Sequence, residues 1–167
     1  MTTLLGLLVM TWNLGTDSET AIINKTGSDT RRVYVTRSDD NGATWTSPSD
    51  ITASAKLPEW GWYATGPGGG IQLRNGPHAG RLVVACDHSD AAGAYKSHVI
   101  FSDDAGATWQ LGGVVPDVKL NECQAVDSHF GAHGECSCEG VSLKGGSHTS
   151  RSNRAVSEGP ISVVNNS

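Results

Sequence analysis

Two short acidic segments contain residues that could either bind a cation or brace a turn. Residues 38–45 (SDDNGATW) and 102–109 (SDDAGATW) match almost letter for letter. Adjacent aspartates could bind calcium, but neither segment has the bidentate glutamate of a typical calcium loop. An aspartate can instead accept hydrogen bonds from a turn, and glycine can adopt positive φ. We therefore predict two structural hairpin turns, with the rings of Trp45 and Trp109 buried beneath them.

The four cysteines are the next residues that could do chemistry. Cys86, Cys123, Cys136 and Cys138 do not form the two spaced C-x-x-C pairs that are typical of a zinc site. Cys136 and Cys138 are too close in sequence to favour a bond with each other. We predict free buried thiols, no metal site and no cofactor. The redox compartment and the cellular localisation are left open.

Short strands joined by glycine-rich turns must position these residues. The chain has 21 glycines and 5 tryptophans among 167 residues, a composition that suits many short strands and tight turns. Residues 15–29 are polar and glycine-containing, which predicts a loop. No long amphipathic helix is evident, so the predicted fold class is all-β. The predicted strands cover residues 4–10 (as a buried strand), 32–37, 81–86, 98–101 and 121–126.

Charge and hydropathy exclude several classes of partner. The formal net charge is −5 and no block of basic residues occurs, which argues against nucleic acid and anionic membranes as partners. The apolar run at residues 4–10 is too short to span a bilayer, so no membrane-spanning segment is predicted. The internal repeat instead indicates a stacked or radial architecture.

Taken together, the motifs resemble those of the sialidase (neuraminidase) family. The pattern S-x-D-x-G-x-T-W in residues 38–45 and 102–109 is the Asp box, which recurs in sialidases. The order and spacing of the motifs also resemble that family, over roughly residues 5–127. Three further segments carry the resemblance: residues 59–68 with a W-Y-A-T-G-P-G core, residues 80–88 with a strand and its end, and residues 121–126 (NECQAV).

The resemblance implies a six-bladed β-propeller with four-stranded blades. The chain would then be a partial β-propeller of about two to three blades. We assign residues 1–127 to this partial propeller. Residues 128–152 are rich in Ser, Gly, His and Cys and show almost no sustained alternation, so we predict that residues 128–167 form a divergent, disordered tail.

The resemblance also implies an exo-α-sialidase that releases terminal sialic acid with retention of configuration. Its substrates would be sialylated glycans on glycoproteins, gangliosides and oligosaccharides. Such sites use three arginines, an aspartate, and a tyrosine with a glutamate partner. Sialic acid carries a carboxylate on its anomeric carbon, so a neutral phenol is a better nucleophile than an anion. Arginines bind that carboxylate by bidentate, charge-assisted hydrogen bonds.

Four residues can be assigned to this site by matching motifs. Glu122 matches the glutamate that partners the tyrosine and is the predicted catalytic residue. Glu59 matches a pocket acid of some family members and is predicted to bind substrate. Asp87 and His88 follow a buried strand, where propeller sites present side chains, and are also predicted to bind substrate.

Other parts of the family's site have no match in this sequence. No fitting arginine or aspartate precedes Trp12, no L-N-x-R motif follows Asp127, and no tyrosine occupies the nucleophile's motif. Gly69 stands where relatives commonly have histidine. We expect the chain by itself to be catalytically incomplete. The alternatives are a non-catalytic sialoglycan-binding or propeller scaffold fragment, and a different Asp-box propeller glycosidase or accessory protein.

Overall fold

A computed structural model of the chain consists mainly of antiparallel β-strands, as the sequence predicts. In the part of the chain that it describes, it contains two helices, of five and four residues, and neither could cross a membrane. The structure describes residues 6–13, 15–66, 69–74, 76–115, 121–128, 140–145, 152–156 and 162–166.

The first sheet contains three strands in the order β1-β2-β3. They are β1 (Gly6–Trp12), β2 (Arg32–Ser38) and β3 (Ser49–Asp50). In β2 the side chains of Val33 and Val35 are buried, as period-two alternation predicts. β1 forms at the predicted place but is only half-buried, because it lies at the edge of this sheet.

Two short helices flank the first sheet. Helix α1 (Glu19–Ile23) lies within the segment predicted to be a loop, so that prediction is wrong for these residues. The hydroxyl of Ser18 caps α1 by accepting a hydrogen bond from the Ala21 amide at 3.2 Å, and Ile22 anchors the helix by burial. Helix α2 (Thr52–Ala55) follows β3.

The second sheet places a long hairpin at its centre. Its path is β4-β6-β7-β8, and β5 also pairs with β6. In the central hairpin, Leu82 pairs with Ser102 and Ser89 pairs with Tyr95 across eight residue pairs. The strands are β4 (Tyr63–Thr65), β5 (Ile71–Gln72), β6 (Leu82–Ser89), β7 (Tyr95–Ser102) and β8 (Gln110–Val114).

Both Asp boxes form the predicted turns, with the same hydrogen bonds. In the first box, the Thr44 amide and hydroxyl donate to the carboxylate of Asp40 at 2.8 and 2.6 Å. The Ser38 hydroxyl accepts from the Gly42 amide at 2.8 Å. The same bonds hold Asp104 in the second box, at the same distances. These bonds lower the pKa of both aspartates to about 2, chiefly through the threonine hydroxyls.

The two tryptophans of the boxes differ in burial. Trp109 is 3% exposed, whereas Trp45 is 46% exposed, so the prediction that both rings are buried is wrong for Trp45. Each indole N–H donates to the glycine carbonyl of its own turn, at 3.1 Å for Trp45 and 3.2 Å for Trp109. The local turn is therefore the same, and the surroundings of the ring differ.

The core has two clusters, which lie on the two faces of the second sheet. One cluster faces β9 (Cys123–Ser128) and includes Val83, Ala85, Val99 and Cys123. The other joins the two sheets, because side chains of β2 pack with side chains of β4, β6 and β7. Its buried members are Val33, Val35, Ala55, Trp60, Tyr63, Cys86, Ile100 and Trp109.

Four strands follow the second sheet in sequence. β9 pairs with β10 (Gly140–Gly145), and β11 (Ser152–Val156) pairs with β12 (Ser162–Asn166). Three of these strands lie in the segment predicted to be a disordered tail. Much of that segment, with Cys136 and Cys138, lies outside the described residues, and the domain boundary at Asp127 stays a prediction.

Candidate active site

The carboxyl group of Asp87 lies buried in the middle of the second sheet. β6 places Asp87 between Ala64 of β4 and Ser97 of β7. Its side chain is 1% exposed, and its Oδ2 atom has no hydrogen-bond partner among the described residues. A buried carboxyl oxygen without a partner is costly when it is charged, so this burial favours the neutral form of Asp87.

Two further acids and one arginine determine the charge around Asp87. Burial is the largest effect, and the negative charges of Glu122 and Glu19 add to it, so that the pKa of Asp87 rises to about 7. The positive charge of Arg31 opposes this rise. Asp87 is therefore a carboxyl group that can exchange its proton near neutral pH.

Contacts between β9 and the central hairpin bring Glu122 into this group. The Cys123 thiol donates to the carbonyl oxygen of Cys86, the residue before Asp87, at 3.0 Å. The Ser97 hydroxyl donates to the carbonyl oxygen of Asn121 at 2.9 Å. These two bonds hold both neighbours of Glu122, through the backbone of Asn121 and the side chain of Cys123, while Glu122 itself is exposed. The segment that the sequence marks as catalytic therefore meets the strand that carries Asp87.

Arg31 is held in place by three hydrogen bonds, to β4, to β1 and to the residue that follows β1. Its guanidinium donates to the carbonyl oxygen of Tyr63 at 3.3 Å, to Asn13 Oδ1 at 3.0 Å and to Thr11 Oγ1 at 3.0 Å. It also lies over the ring of Trp62, 4.4 Å from the ring centroid. This cation thus belongs to a rigid network that links the two sheets beside the acids.

Helix α1 and β7 complete the surroundings of Asp87. The Tyr95 hydroxyl donates a hydrogen bond to Glu19 Oε1. Burial and this bond raise the pKa of the Tyr95 phenol, which stays neutral over the ordinary pH range. The pair ties the helix to the end of the central hairpin and keeps the Glu19 carboxylate close to Asp87.

The sequence and the fold that position Asp87 in β6 can be compared with those of known proteins. A family model described as a BNR repeat-like domain matches residues 17–139. The chain belongs to this BNR repeat-like family. Both Asp boxes and all four predicted site residues fall inside the matched range.

Curated proteins with similar sequences are sialidases. Sialidase-4 of Mus musculus is 38% identical over 120 residues, covering 63% of this chain and 24% of the relative. A sialidase of Micromonospora viridifaciens is 43% identical over 95 residues, covering 56% of this chain and 14% of the relative. This BNR-repeat chain therefore spans a quarter or less of the length of these curated relatives.

Solved structures confirm the fold. The Hadza microbial sialidase Hz136 superimposes with a TM-score of 0.62 at 28% identity, covering 72% of this chain and 24% of that structure. The intramolecular trans-sialidase from Ruminococcus gnavus, in complex with oseltamivir carboxylate, gives a TM-score of 0.51 at 31% identity, covering 59% of this chain and 20% of that structure. The predicted partial sialidase propeller is thus confirmed for this BNR-repeat chain.

His88 lies on the opposite face of β6 from Asp87, because successive side chains of a strand alternate. Its ring is 1% exposed and stacks on Trp60 with 3.4 Å between centroids. Its Nδ1 atom lies 3.0 Å from Nδ1 of His98, which is also buried. The structure therefore places His88 in the core between the two sheets rather than beside the acids.

Glu59 lies exposed in the turn from Leu57 to Trp60, before β4. A role in binding substrate stays a prediction for this residue. The two cysteines that the structure describes, Cys86 and Cys123, are free and buried, as predicted. The described residues contain no group of three or more His, Cys, Asp or Glu side chains that could hold a metal ion.

A separate cavity of about 630 Å³ lies between β1 and the strands β5 and β6. Apolar side chains such as Leu7, Val9 and Val84 line it, together with Gly69. A side chain at Gly69 would meet open space, since no atom lies within 4 Å of a Cβ built there. The acids around Asp87 do not line this cavity, so it is distinct from the candidate active site.

Sequence reasoning did not predict three residues of the site: Glu19, Arg31 and Tyr95. Glu19 had a detectable signal, because Ser18 before Glu19 and the apolar pair Ile22 and Ile23 form a helix start. Arg31 and Tyr95 carried no local signal. Their positions depend on contacts with residues distant in the sequence.

Proposed function

We propose that this chain forms part of an exo-α-sialidase-type glycoside hydrolase, which releases terminal sialic acid from glycoconjugates with retention of configuration. The supporting observation is that both neighbours of Glu122, the residue that matches the family's catalytic glutamate, are hydrogen-bonded to the hairpin that carries Asp87, and that the charge of Glu122 helps to raise the pKa of Asp87. Two carboxyl groups in different environments suit a reaction that moves protons.

In this proposal Glu122 takes the proton from a tyrosine that attacks the anomeric carbon. The exposed position of Glu122 leaves its carboxylate accessible to such a partner. Asp87 binds the sugar, and His88 holds the strand by its stack on Trp60. Glu59 binds substrate from the turn before β4. No residue of this sequence matches the nucleophilic tyrosine or the family's arginines, so we expect this chain alone to bind sialosides without turnover.

A second candidate, a non-catalytic sialoglycan-binding fragment, is favoured by those missing matches. Two measurements on the purified chain separate the candidates: turnover of 4-methylumbelliferyl α-sialoside, and binding of N-acetylneuraminic acid followed by NMR. Turnover that is lost in Glu122→Gln and kept in Asp39→Asn supports catalysis by this chain. Asp39 is a suitable control because it is exposed and lies beyond the end of β2 opposite to Arg31.

Binding without turnover supports the non-catalytic candidate for the isolated chain. In that case Glu122→Gln should weaken binding, whereas Asp39→Asn should not. A folded chain that neither binds N-acetylneuraminic acid nor cleaves the sialoside contradicts both candidates.

A further inference from the structure

One face of the first sheet exposes an apolar surface. Two residues of β1 pack on the core cluster between the two sheets, so the alternate residues, among them Gly6, Leu8 and Trp12, point to the opposite face. Trp45 of the first Asp box lies on this face too, because its Cη2 atom is 3.2 Å from the position of a Cβ on Gly6. Three of the five large apolar side chains that the described residues expose therefore gather on one surface, which we call the outer face: Leu8, Trp12 and Trp45.

The second Asp box shows what covers a tryptophan at this position. Trp109 occupies the same place in its box as Trp45 and is 3% exposed. The first sheet covers it, because Leu7 of β1 packs on the cluster that includes Trp109, and a Cβ on Gly106 would lie 2.6 Å from Leu7 Cδ1. Trp45 has the same turn and the same indole hydrogen bond. The repeat therefore indicates that an apolar face of another β-sheet packs on Trp45.

The chemistry of the outer face suits contact with a copy of itself. β1 is an edge strand that contains no charged residue and no proline, the residues that usually protect an exposed edge from pairing. Arg32 lies opposite Trp12 in the register and is already paired with Asp29 and Asp50, at 3.1 and 3.6 Å. Two copies of this face can therefore meet without the repulsion of like charges that lack a counter-charge.

We propose that two copies of this chain pack their outer faces together around a two-fold axis, so that each copy covers Leu8, Trp12 and Trp45 of the other. A two-fold arrangement uses the same face twice. A head-to-tail arrangement would need a second exposed sheet face, but the face of the second sheet that is remote from the first packs against β9 within the chain. This inference does not depend on the proposed function.

The size of the outer face predicts a weak dimer. Two tryptophans and one leucine, each about half exposed, offer on the order of 300 Å² of apolar surface per copy. Stable interfaces bury about 800 Å² per partner, so this contact belongs to the weak class whose population depends on protein concentration. We expect a dissociation constant of about 1–100 μM.

Sedimentation velocity of the full chain, over concentrations on either side of that range, tests the proposal. The average mass of the wild type should rise from one chain to two. Leu8→Glu places a charge on the outer face and should weaken association by about tenfold or more. The matched control is Leu57→Glu, since Leu57 is also exposed but follows α2, and this variant should associate like the wild type. Circular dichroism shows whether each variant is folded, and Trp12→Glu replaces Leu8→Glu if the latter does not fold.

Fluorotryptophan labelling followed by fluorine NMR provides a second readout. The signals of Trp12 and Trp45, assigned with Trp12→Phe and Trp45→Phe, should shift with protein concentration, whereas that of the buried Trp109 should not. A wild-type chain that stays monomeric at every concentration, or a folded Leu8→Glu variant that associates like the wild type, would overturn the inference. Oligomers that grow beyond two chains, or a dimer in which the signals of Trp12 and Trp45 do not shift, would overturn it as well.

Discussion

The two Asp boxes allow the contribution of tertiary packing to stability to be separated from that of the turn. Both turns have the same hydrogen bonds, and both indole N–H groups donate to a glycine carbonyl. The two tryptophans differ in burial: Trp109 is 3% exposed, whereas Trp45 is 46% exposed. Trp109→Ala and Trp45→Ala therefore remove the same local bond and different amounts of buried apolar surface.

The expected magnitudes follow from that burial. A buried tryptophan removes about 150–250 Å² from water, which at about 25 cal/mol per Å² corresponds to about 5 kcal/mol. Large-to-small core substitutions of this type cost about 3–5 kcal/mol. We expect Trp109→Ala to lower the free energy of unfolding by about 4 kcal/mol. Trp45→Ala should lower it by about 2 kcal/mol, because only about half of that ring is buried.

Urea denaturation followed by far-ultraviolet circular dichroism measures this difference. With a urea dependence of about 2 kcal/mol per M, the two variants should differ by about 1 M in denaturation midpoint. Trp45→Phe and Trp109→Phe serve as controls, since each keeps an apolar ring and loses the N–H donor. Equal losses for the two alanine variants, or a larger loss for Trp45→Ala, would refute the reasoning from burial.

The buried pair His88 and His98 should make the chain sensitive to acid. Burial lowers the pKa of His88 from 6.5 to about 4, so the stability of Asp87→Asn, which lacks the opposite titration of Asp87, should fall by about 3 kcal/mol as the pH drops across that range, as a pH series of urea midpoints can show. Lys56 is 7% exposed and donates to Thr30 Oγ1 and to the carbonyl oxygens of Arg31 and Gly61. Lys56→Met should lower the free energy of unfolding by about 3 kcal/mol, because these acceptors lose their donor.

The predictions for the histidine pair and for Lys56 can each be refuted by a stability measurement. A stability of Asp87→Asn that is unchanged between about pH 6.5 and pH 4 would show that the histidine pair takes up protons without breaking its contacts. For the lysine, the control is Lys25→Met, since Lys25 is exposed. A loss as large for Lys25→Met as for Lys56→Met would show that the buried hydrogen bonds of Lys56 contribute nothing specific.

The sequence predicts the parts of this fold that depend on local bonds. The Asp box is an example, because the bonds that hold Asp40 and Asp104 stay within the eight residues of each motif. The burial of Trp45 and Trp109 depends on which neighbouring elements cover each ring. Identical motifs therefore gave an identical turn and a different packing, which no local pattern could distinguish.

The sequence predicts those residues of the candidate site that belong to a recognisable motif. It does not predict residues such as Arg31 and Tyr95, which reach the site through contacts with residues distant in the sequence. The N-E-C-Q segment indicated Glu122 directly. The alternative roles of Asp87 and His88 could not be separated by sequence, because both follow the same buried strand. The structure separates them by the alternation of β6, which turns Asp87 towards the acids and His88 towards Trp60.

This alternation also gives β6 two opposite effects of pH on stability. Between about pH 4 and pH 6.5 the unfolded chain binds more protons at His88, so stability rises with pH. Over the range from 3.8 to about 7 the folded chain binds more protons at Asp87, so that residue makes stability fall with pH. The two effects partly cancel in the wild type. Asp87→Asn removes only the second effect, so its stability advantage over the wild type should grow by about 4 kcal/mol across that range. A constant difference between the two curves would mean that Asp87 titrates alike in the folded and unfolded chain.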